Sequence, residues 1–214
     1  MKLYTYFRSS AAFRVRIALN LKGMPFEPVP VHLLRDGGQH RAAAFQAHNA
    51  QQLIPVLEHH GHDLTQSLAI IEYLDEIRPE PRLLPADPFG RARVRSLALA
   101  IACEIHPLNN LRVLRYLTDT LELSEEQKNR WYRHWVETGL AAVERRLAGE
   151  PETGRFTHGD GPTLADCCLV PQVFNAERYQ CDLSAVPTIM RVHAQCMALQ
   201  AFQDAAPAAQ PDAE

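Results

Sequence analysis

The sequence predicts a small α/β domain followed by an all-helical one. Three observations carry that prediction. Strand-like and helix-like segments alternate from Leu3 to Leu74. Four prolines (Pro79, Pro81, Pro85 and Pro88) then fall within ten residues. Beyond them every patterned segment has helical spacing.

The elements follow in order. Leu3-Tyr4-Thr5-Tyr6 reads as a strand, and Ser9 or Ser10 caps a helix that runs to Leu21-Lys22 and stops at Gly23 and Pro25. Val29-Pro30-Val31 is a second strand. Its prolines deny ladder donors, which places it at a sheet edge. A helical stretch follows around Arg41–Ala47. Pro55-Val56-Leu57-Glu58 and Asp63-Leu64-Thr65 flank a turn at His59-His60-Gly61-His62 and form a hairpin. Ser67 caps a helix with Leu68, Ile71 and Leu74 on one face. The order βαβαββα is that of a thioredoxin-like domain, expected over residues 1–82.

Four prolines in ten residues cannot be accommodated inside one helix or central strand, so the seam around Arg78–Pro88 is placed as the domain boundary. The second domain, residues 88–214, is helical throughout. Its first stretch runs from Arg91 to Thr120 and is interrupted at Pro107. A second runs from Glu125 to Leu147, with Trp131 and Trp135 on one face. Thr163-Leu164-Ala165-Asp166 opens a third as a capping box. A last helix covers Val186 to Ala201, and the Ala/Pro-rich tail from Ala205 wraps the surface or frays.

Bulk properties exclude several functions. An apolar fraction of 46%, a charged fraction of 22% and a net charge of −3 are those of an ordinary folded protein. With both signs interspersed, nothing draws the chain to nucleic acid or to an anionic membrane. No apolar run approaches the ~18 residues of a spanning helix, and the N-terminus is no signal peptide. A cytoplasmic location is expected. The five cysteines, Cys103, Cys167, Cys168, Cys181 and Cys196, form no Cys-x-x-Cys pair and read as buried thiols rather than a disulfide or zinc framework.

Several residues are placed to do chemistry. Ser9 and Ser10 lie between the first strand and the first helix. A hydroxyl at that positive helix end can donate to a bound thiolate, although from the local pattern alone simple N-capping is the favoured reading, Ser being a preferred cap. Ile54-Pro55 precedes a strand. A cis bond there would turn the backbone of Ile54 outward to pair with an extended peptide; a trans proline at a strand start is the alternative. Gln66-Ser67 offers a carboxylate a hydroxyl, free N–H groups and the helix dipole together. His59, His60 and His62 sit in a hairpin turn without a supporting Cys or carboxylate pattern, so no metal is expected. Polar residues crowd His106-Pro107-Leu108-Asn109-Asn110-Leu111-Arg112, a segment that either meets solvent or lines a cleft.

One run carries more. Arg8-Ser9-Ser10-Ala11-Ala12-Phe13-Arg14-Val15-Arg16-Ile17-Ala18-Leu19 resembles the zeta-class signature of the glutathione transferases, which reads Arg-Ser-Ser-Cys-x-aromatic-Arg-Val-Arg-Ile-Ala-Leu. The likeness continues through Asp36-Gly37-Gly38-Gln39, Gln66–Leu74, Leu83-Leu84-Pro85, His106–Asn110, Thr163–Gln172 and Ala201-Phe202, nearly the whole chain.

The resemblance implies the glutathione-transferase fold, glutathione as cofactor and a homodimer. It implies that Ser9, with Ser10 beside it, activates the glutathione thiol. Ile54 would pair with the cysteinyl backbone, Gln66 and Ser67 would hold the γ-glutamyl end, and His40 would approach the glycine end. His106, Asn110, Leu111 and Arg112 would reach glutathione or substrate. Arg8, Arg112 and Arg178 would receive the carboxylates of a small dicarboxylate substrate. Ala11, within the cofactor-binding set, stands where the family usually has Cys, so that Cys is not required here.

The implied reaction is cis–trans isomerisation, maleylacetoacetate to fumarylacetoacetate, with maleylpyruvate as the alternative substrate. A C=C bond does not rotate at useful rates, and reversible thiolate addition makes it single. Glutathione is then a borrowed nucleophile that is not consumed. A conjugating or dehalogenating transferase would consume glutathione. A non-catalytic binding module would tend to lose the activating hydroxyl, and this chain keeps Ser9.

Overall fold

Lys2–Thr5 (β1) alternates outward Lys2 with fully buried Leu3 and Thr5 and so forms a strand with one face in the core. Ser10–Leu21 (α1) follows, and Phe13, Val15, Ile17, Ala18 and Leu19 are all buried along it. Glu27–Pro30 (β2), Ala43–Gln46 (α2), Val56–His59 (β3), His62–Thr65 (β4) and Ser67–Ile77 (α3) come next. The sheet order is β2-β1-β3-β4, with β1 parallel to β2 and antiparallel to β3. The two prolines of β2 thus lie on an edge strand, as their missing donors require. β3 and β4 form the expected hairpin through His60-Gly61, both at positive φ (51° and 77°), the conformation of a tight primed turn. The computed structural model describes every residue from Met1 to Glu214.

The second run is helical. Pro88–Leu99 (α4) starts three residues before the expected Arg91, because Asp87 caps it by accepting from Gly90 N at 2.7 Å and Pro88 suits the first helical position. The helix widens into π turns over Ala100–Ile105 and tightens to a 3-10 turn over His106–Asn109, where Pro107 breaks the ladder. Leu111–Arg115 (α5), a second π segment at Tyr116–Thr120, Glu125–Gly149 (α6), Leu164–Arg178 (α7), Pro187–Met197 (α8) and Gln200–Ala205 (α9) complete the chain. The Thr163–Asp166 capping box is present. The fully buried Asp166 carboxylate accepts from Thr163 N, from Thr157 N and from both threonine hydroxyls at 2.8–2.9 Å.

Two compact units result, Met1–Leu83 with Met197–Glu214, and Leu84–Cys196. The expected single last helix breaks at extended Leu199, and the residues from Met197 onward cluster with the first unit rather than with the rest of 88–214. The reason is local. Ala201 O accepts from Asn20 Nδ2 and Ala205 O from Arg16 Nε, both at 3.0 Å, so α9 is tied to α1. The tail is held rather than frayed: Asp212 Oδ2 accepts from Phe7 N at 3.0 Å, and Gln210 is buried. The proline-rich seam is pinned to the first unit by Lys22. Its buried ammonium donates to Asp75 Oδ1 at 2.5 Å and to the carbonyls of Arg78 and Pro81 at 2.7 and 2.6 Å.

Cys167, Cys168 and Cys196 are fully buried, as expected of small hydrophobes. Cys103 instead faces solvent on the π segment, and Cys181 is half-buried, with burial pushing its thiol up to about 11.

Candidate active site

The register of the sheet gathers the first unit's candidate residues. Tyr4 of β1 pairs with Val56 of β3, and Val56 pairs with Thr65 of β4. Thr5 pairs with Pro30 at the end of β2. The turn carrying Ser9, the Ile54-Pro55 bond, the Gln66-Ser67 junction and the loop leading to His40 therefore all leave the sheet at the same end of its strands. Tyr6, Phe7, Val31, Phe45, Ile54 and Val56 pack together there.

Ser9 caps α1: its Oγ accepts from Ala12 N at 3.2 Å. Capping and donation prove compatible, because the cap uses a lone pair of the hydroxyl and leaves its proton to give. Ser10, the first residue of α1, is buried, and Ala11 beside it is half-buried. Of the two readings left open for Ile54-Pro55, the bond is cis, and so is Glu80-Pro81. Gln66 stands at φ 68°, a left-handed backbone that a non-glycine residue adopts at a cost of order 1–3 kcal/mol. Its amide donates to Gln51 Oε1 at 3.0 Å. Ser67 opens α3, whose first turn has no side-chain cap and no acidic residue. His40 follows Gly38 at φ 105°; a Cβ at Gly38 would lie 2.5 Å from the His40 ring, so glycine there keeps the imidazole in place. Arg8 lies over the Phe7 ring at 4.7 Å.

In the second unit, Asn110 caps α5 by accepting from Arg112 N at 3.1 Å, with Leu111 between them. Arg112 is exposed and His106 half-buried. Arg178 ends α7, exposed, with its guanidinium 5.2 Å from the Tyr179 ring centre. Tyr132 of α6 links these two places. Its ring stacks on Tyr179 at 3.6 Å, and its carbonyl accepts from Asn109 Nδ2 at 3.5 Å. Burial, then the Tyr179 phenol, push the Tyr132 hydroxyl well above its usual range.

Sequence reasoning missed Tyr132, Lys22 and the buried pair Arg14 and Arg16. The signal for the arginines was present, because two charges at i and i+2 sit inside the apolar run Phe13–Leu19, where solvent cannot reach both. The hairpin histidines serve the hairpin: His59 Nδ1 lies 2.7 Å from Tyr73 Oη, and its ring lies 4.0 Å from that of His60.

A helix-end hydroxyl that accepts a capping hydrogen bond, an uncapped helix start behind a residue at positive φ and a cis peptide before a strand leave the first unit at one end of its sheet, the kind of place where a thiol peptide can be held. The comparisons give the family. Residues 1–76 match the glutathione S-transferase N-terminal domain and residues 125–208 its C-terminal domain. The chain is 52% identical to a probable maleylacetoacetate isomerase of Vibrio cholerae over 99% of its own length and 97% of that protein's. It superposes on a holo structure of maleylpyruvate isomerase, a bacterial zeta-class glutathione S-transferase, with TM-score 0.97, 51% identity and full coverage of both chains. It superposes equally fully, with TM-score 0.96 and 43% identity, on a maleylacetoacetate isomerase of Methylobacterium extorquens holding malonate and glutathione. The chain belongs to the glutathione S-transferase family, in its zeta class.

Proposed function

We propose that this chain is a glutathione-dependent cis–trans isomerase that converts maleylacetoacetate to fumarylacetoacetate. The single observation that carries the reading is Ser9, whose oxygen caps α1 while its proton stays free to donate. Bound glutathione supplies the nucleophilic thiolate that makes the alkene rotatable. Ser9 donates to that sulfur and, with the positive end of α1, keeps it ionised, while buried Ser10 shapes the same turn. Ile54 presents backbone to the cysteinyl part; Gln66 and Ser67 take the γ-glutamyl end, and His40 the glycine end. His106, Asn110, Leu111 and Arg112 complete the binding set. Arg8, Arg112 and Arg178 receive the substrate carboxylates, and their charge offsets what develops on the conjugated carbonyl. Residues 1–82 act as the glutathione-binding domain and the helical run from 88 as the substrate-side domain, apart from the stretch from Met197 onward, which clusters with the first unit.

A second substrate, maleylpyruvate, is supported by the 51% identity to a maleylpyruvate isomerase. The test is turnover of both substrates with the thiol titrated throughout. Saturable activation by glutathione without net thiol loss is expected. Stoichiometric loss would make the chain a conjugating transferase, and no activation would make it a binding module. We place the protein in the cytoplasm as a homodimer. No helix is long and apolar enough to cross a membrane. Light scattering that gave the mass of one chain would overturn the dimer.

A further inference from the structure

Arg14 and Arg16 sit two residues apart on α1, both about 2% exposed or less, and the fold treats them differently. Arg16 is fully engaged: Nε donates to Ala205 O, Nη1 to Thr5 Oγ1 and Nη2 to Phe7 O, each at 3.0 Å. It is a structural tie. Arg14 is not. Its Nη1 donates to Ser67 Oγ at 3.3 Å, while Nε and Nη2 have no hydrogen-bond partner. Its one partner is a hydroxyl, not a carboxylate. A buried cation left in that state destabilises a fold unless an anion completes it.

The place it points to is the start of α3. Ser67 is the first residue of that eleven-residue helix, no side chain caps its first turn, and no acidic residue occupies it. The preceding Gln66 is held at φ 68°. Two independent features therefore call for negative charge at one spot: an uncapped helix start in front, and an unpaired buried guanidinium behind.

We infer that Arg14 is the positioning residue of the γ-glutamyl carboxylate subsite. By donating to Ser67 Oγ it occupies a lone pair of that hydroxyl, so the proton turns outward to the ligand. Its charge, little screened inside the protein, attracts the carboxylate through Ser67. This rests on the proposed docking of the γ-glutamyl end at Gln66 and Ser67, and goes further by assigning the charge that selects it. Arg14→Lys keeps the charge; Arg14→Gln keeps a donor and removes the charge.

The test is calorimetric binding of two ligands: glutathione, and γ-aminobutyryl-cysteinyl-glycine, which lacks only the γ-glutamyl α-carboxylate. Wild type is expected to prefer glutathione by about tenfold or more, the worth of a charge-assisted hydrogen bond. Arg14→Gln should lose most of that preference through weaker glutathione binding, with the analogue held within about twofold, and Arg14→Lys should keep it. A wild type that binds both ligands alike overturns the docking itself, and the role of Arg14 with it. A wild type that discriminates beside an Arg14→Gln variant that discriminates equally leaves the docking intact and overturns Arg14. Equal weakening of both ligands makes Arg14 merely structural and overturns it too. Should Arg14→Gln fail to fold, Arg14→Lys decides, since loss of preference with the charge retained contradicts the inference.

Discussion

At the scale of single residues, one hydroxyl is proposed for two duties. Ser9 Oγ accepts from Ala12 N, and the proposed function assigns its proton to a thiolate. Removing it therefore has two separable costs. The lost cap destabilises α1 by roughly 1 kcal/mol. The lost donor to an anion is worth ~1.5–3 kcal/mol, or roughly a 10- to 150-fold fall in kcat/KM. Ser9→Ala should show that fall together with a raised pKa of the bound thiol, followed by ultraviolet thiolate absorbance. A variant with wild-type turnover and an unchanged thiol pKa would remove Ser9 from the chemistry. Ala11 makes the same point from the other side, because the helix end and Ser9 remain although the family's usual Cys is gone.

Helices α7 and α8 show how sequence signals become packing. The Thr163–Asp166 box does more than begin α7. Asp166 also accepts the backbone N–H and hydroxyl of Thr157, so one carboxylate starts a helix and fastens the preceding loop. Asp166→Ala leaves a cap unmade and buried donors orphaned, and should lower unfolding free energy by about 2–4 kcal/mol in urea melts. A loss of a few tenths would mean that water replaces the carboxylate.

On α8, burial holds the His193 imidazole below its ordinary 6.5, with Glu177 opposing. As pH falls through 6.5 the unfolded chain takes up the proton before the folded one, so stability is full above that value and declines below it. Thermal melts from about pH 7.5 down to about 5.5 should fall less steeply for His193→Gln than for wild type. Parallel slopes would show that the histidine carries no linkage.

For the whole molecule, the proposal stands on arginines far apart in sequence. Arg112 and Arg178 belong to α5 and the end of α7, and Tyr132 supports both neighbourhoods through Asn109 and Tyr179. If both receive substrate carboxylates, Arg112→Ala or Arg178→Ala should lower isomerisation kcat/KM by roughly 10- to 150-fold, one charge-assisted hydrogen bond each. Glutathione affinity should change less, as titration of each variant would show. Wild-type turnover in both would make them surface residues and take away the physical support for a dicarboxylate substrate.

What the sequence alone determined is whatever depends on neighbours along the chain. Gly61 and its flanking strands specify the hairpin. Ser9 and Thr163 specify helix starts through caps that reach two or three residues. The prolines of β2 specify an edge, and the motif around Ser9 specifies the family. The elements, and the local settings of the first unit's candidate residues, were legible for that reason. The tertiary structure decided what depends on distant partners. Whether Arg14 and Arg16 are exposed or buried, and which of them is satisfied, turns on Ser67 and Ala205, 53 and 189 residues away. That α9 joins the first unit follows from Asn20 and Arg16 meeting its carbonyls. Lys22 is an unremarked charge at a helix end until the seam folds back on it. Local patterns record the cost of a backbone conformation and the solvation of a face; they do not record which buried charge lacks a partner, because that partner is set by the path of the whole chain.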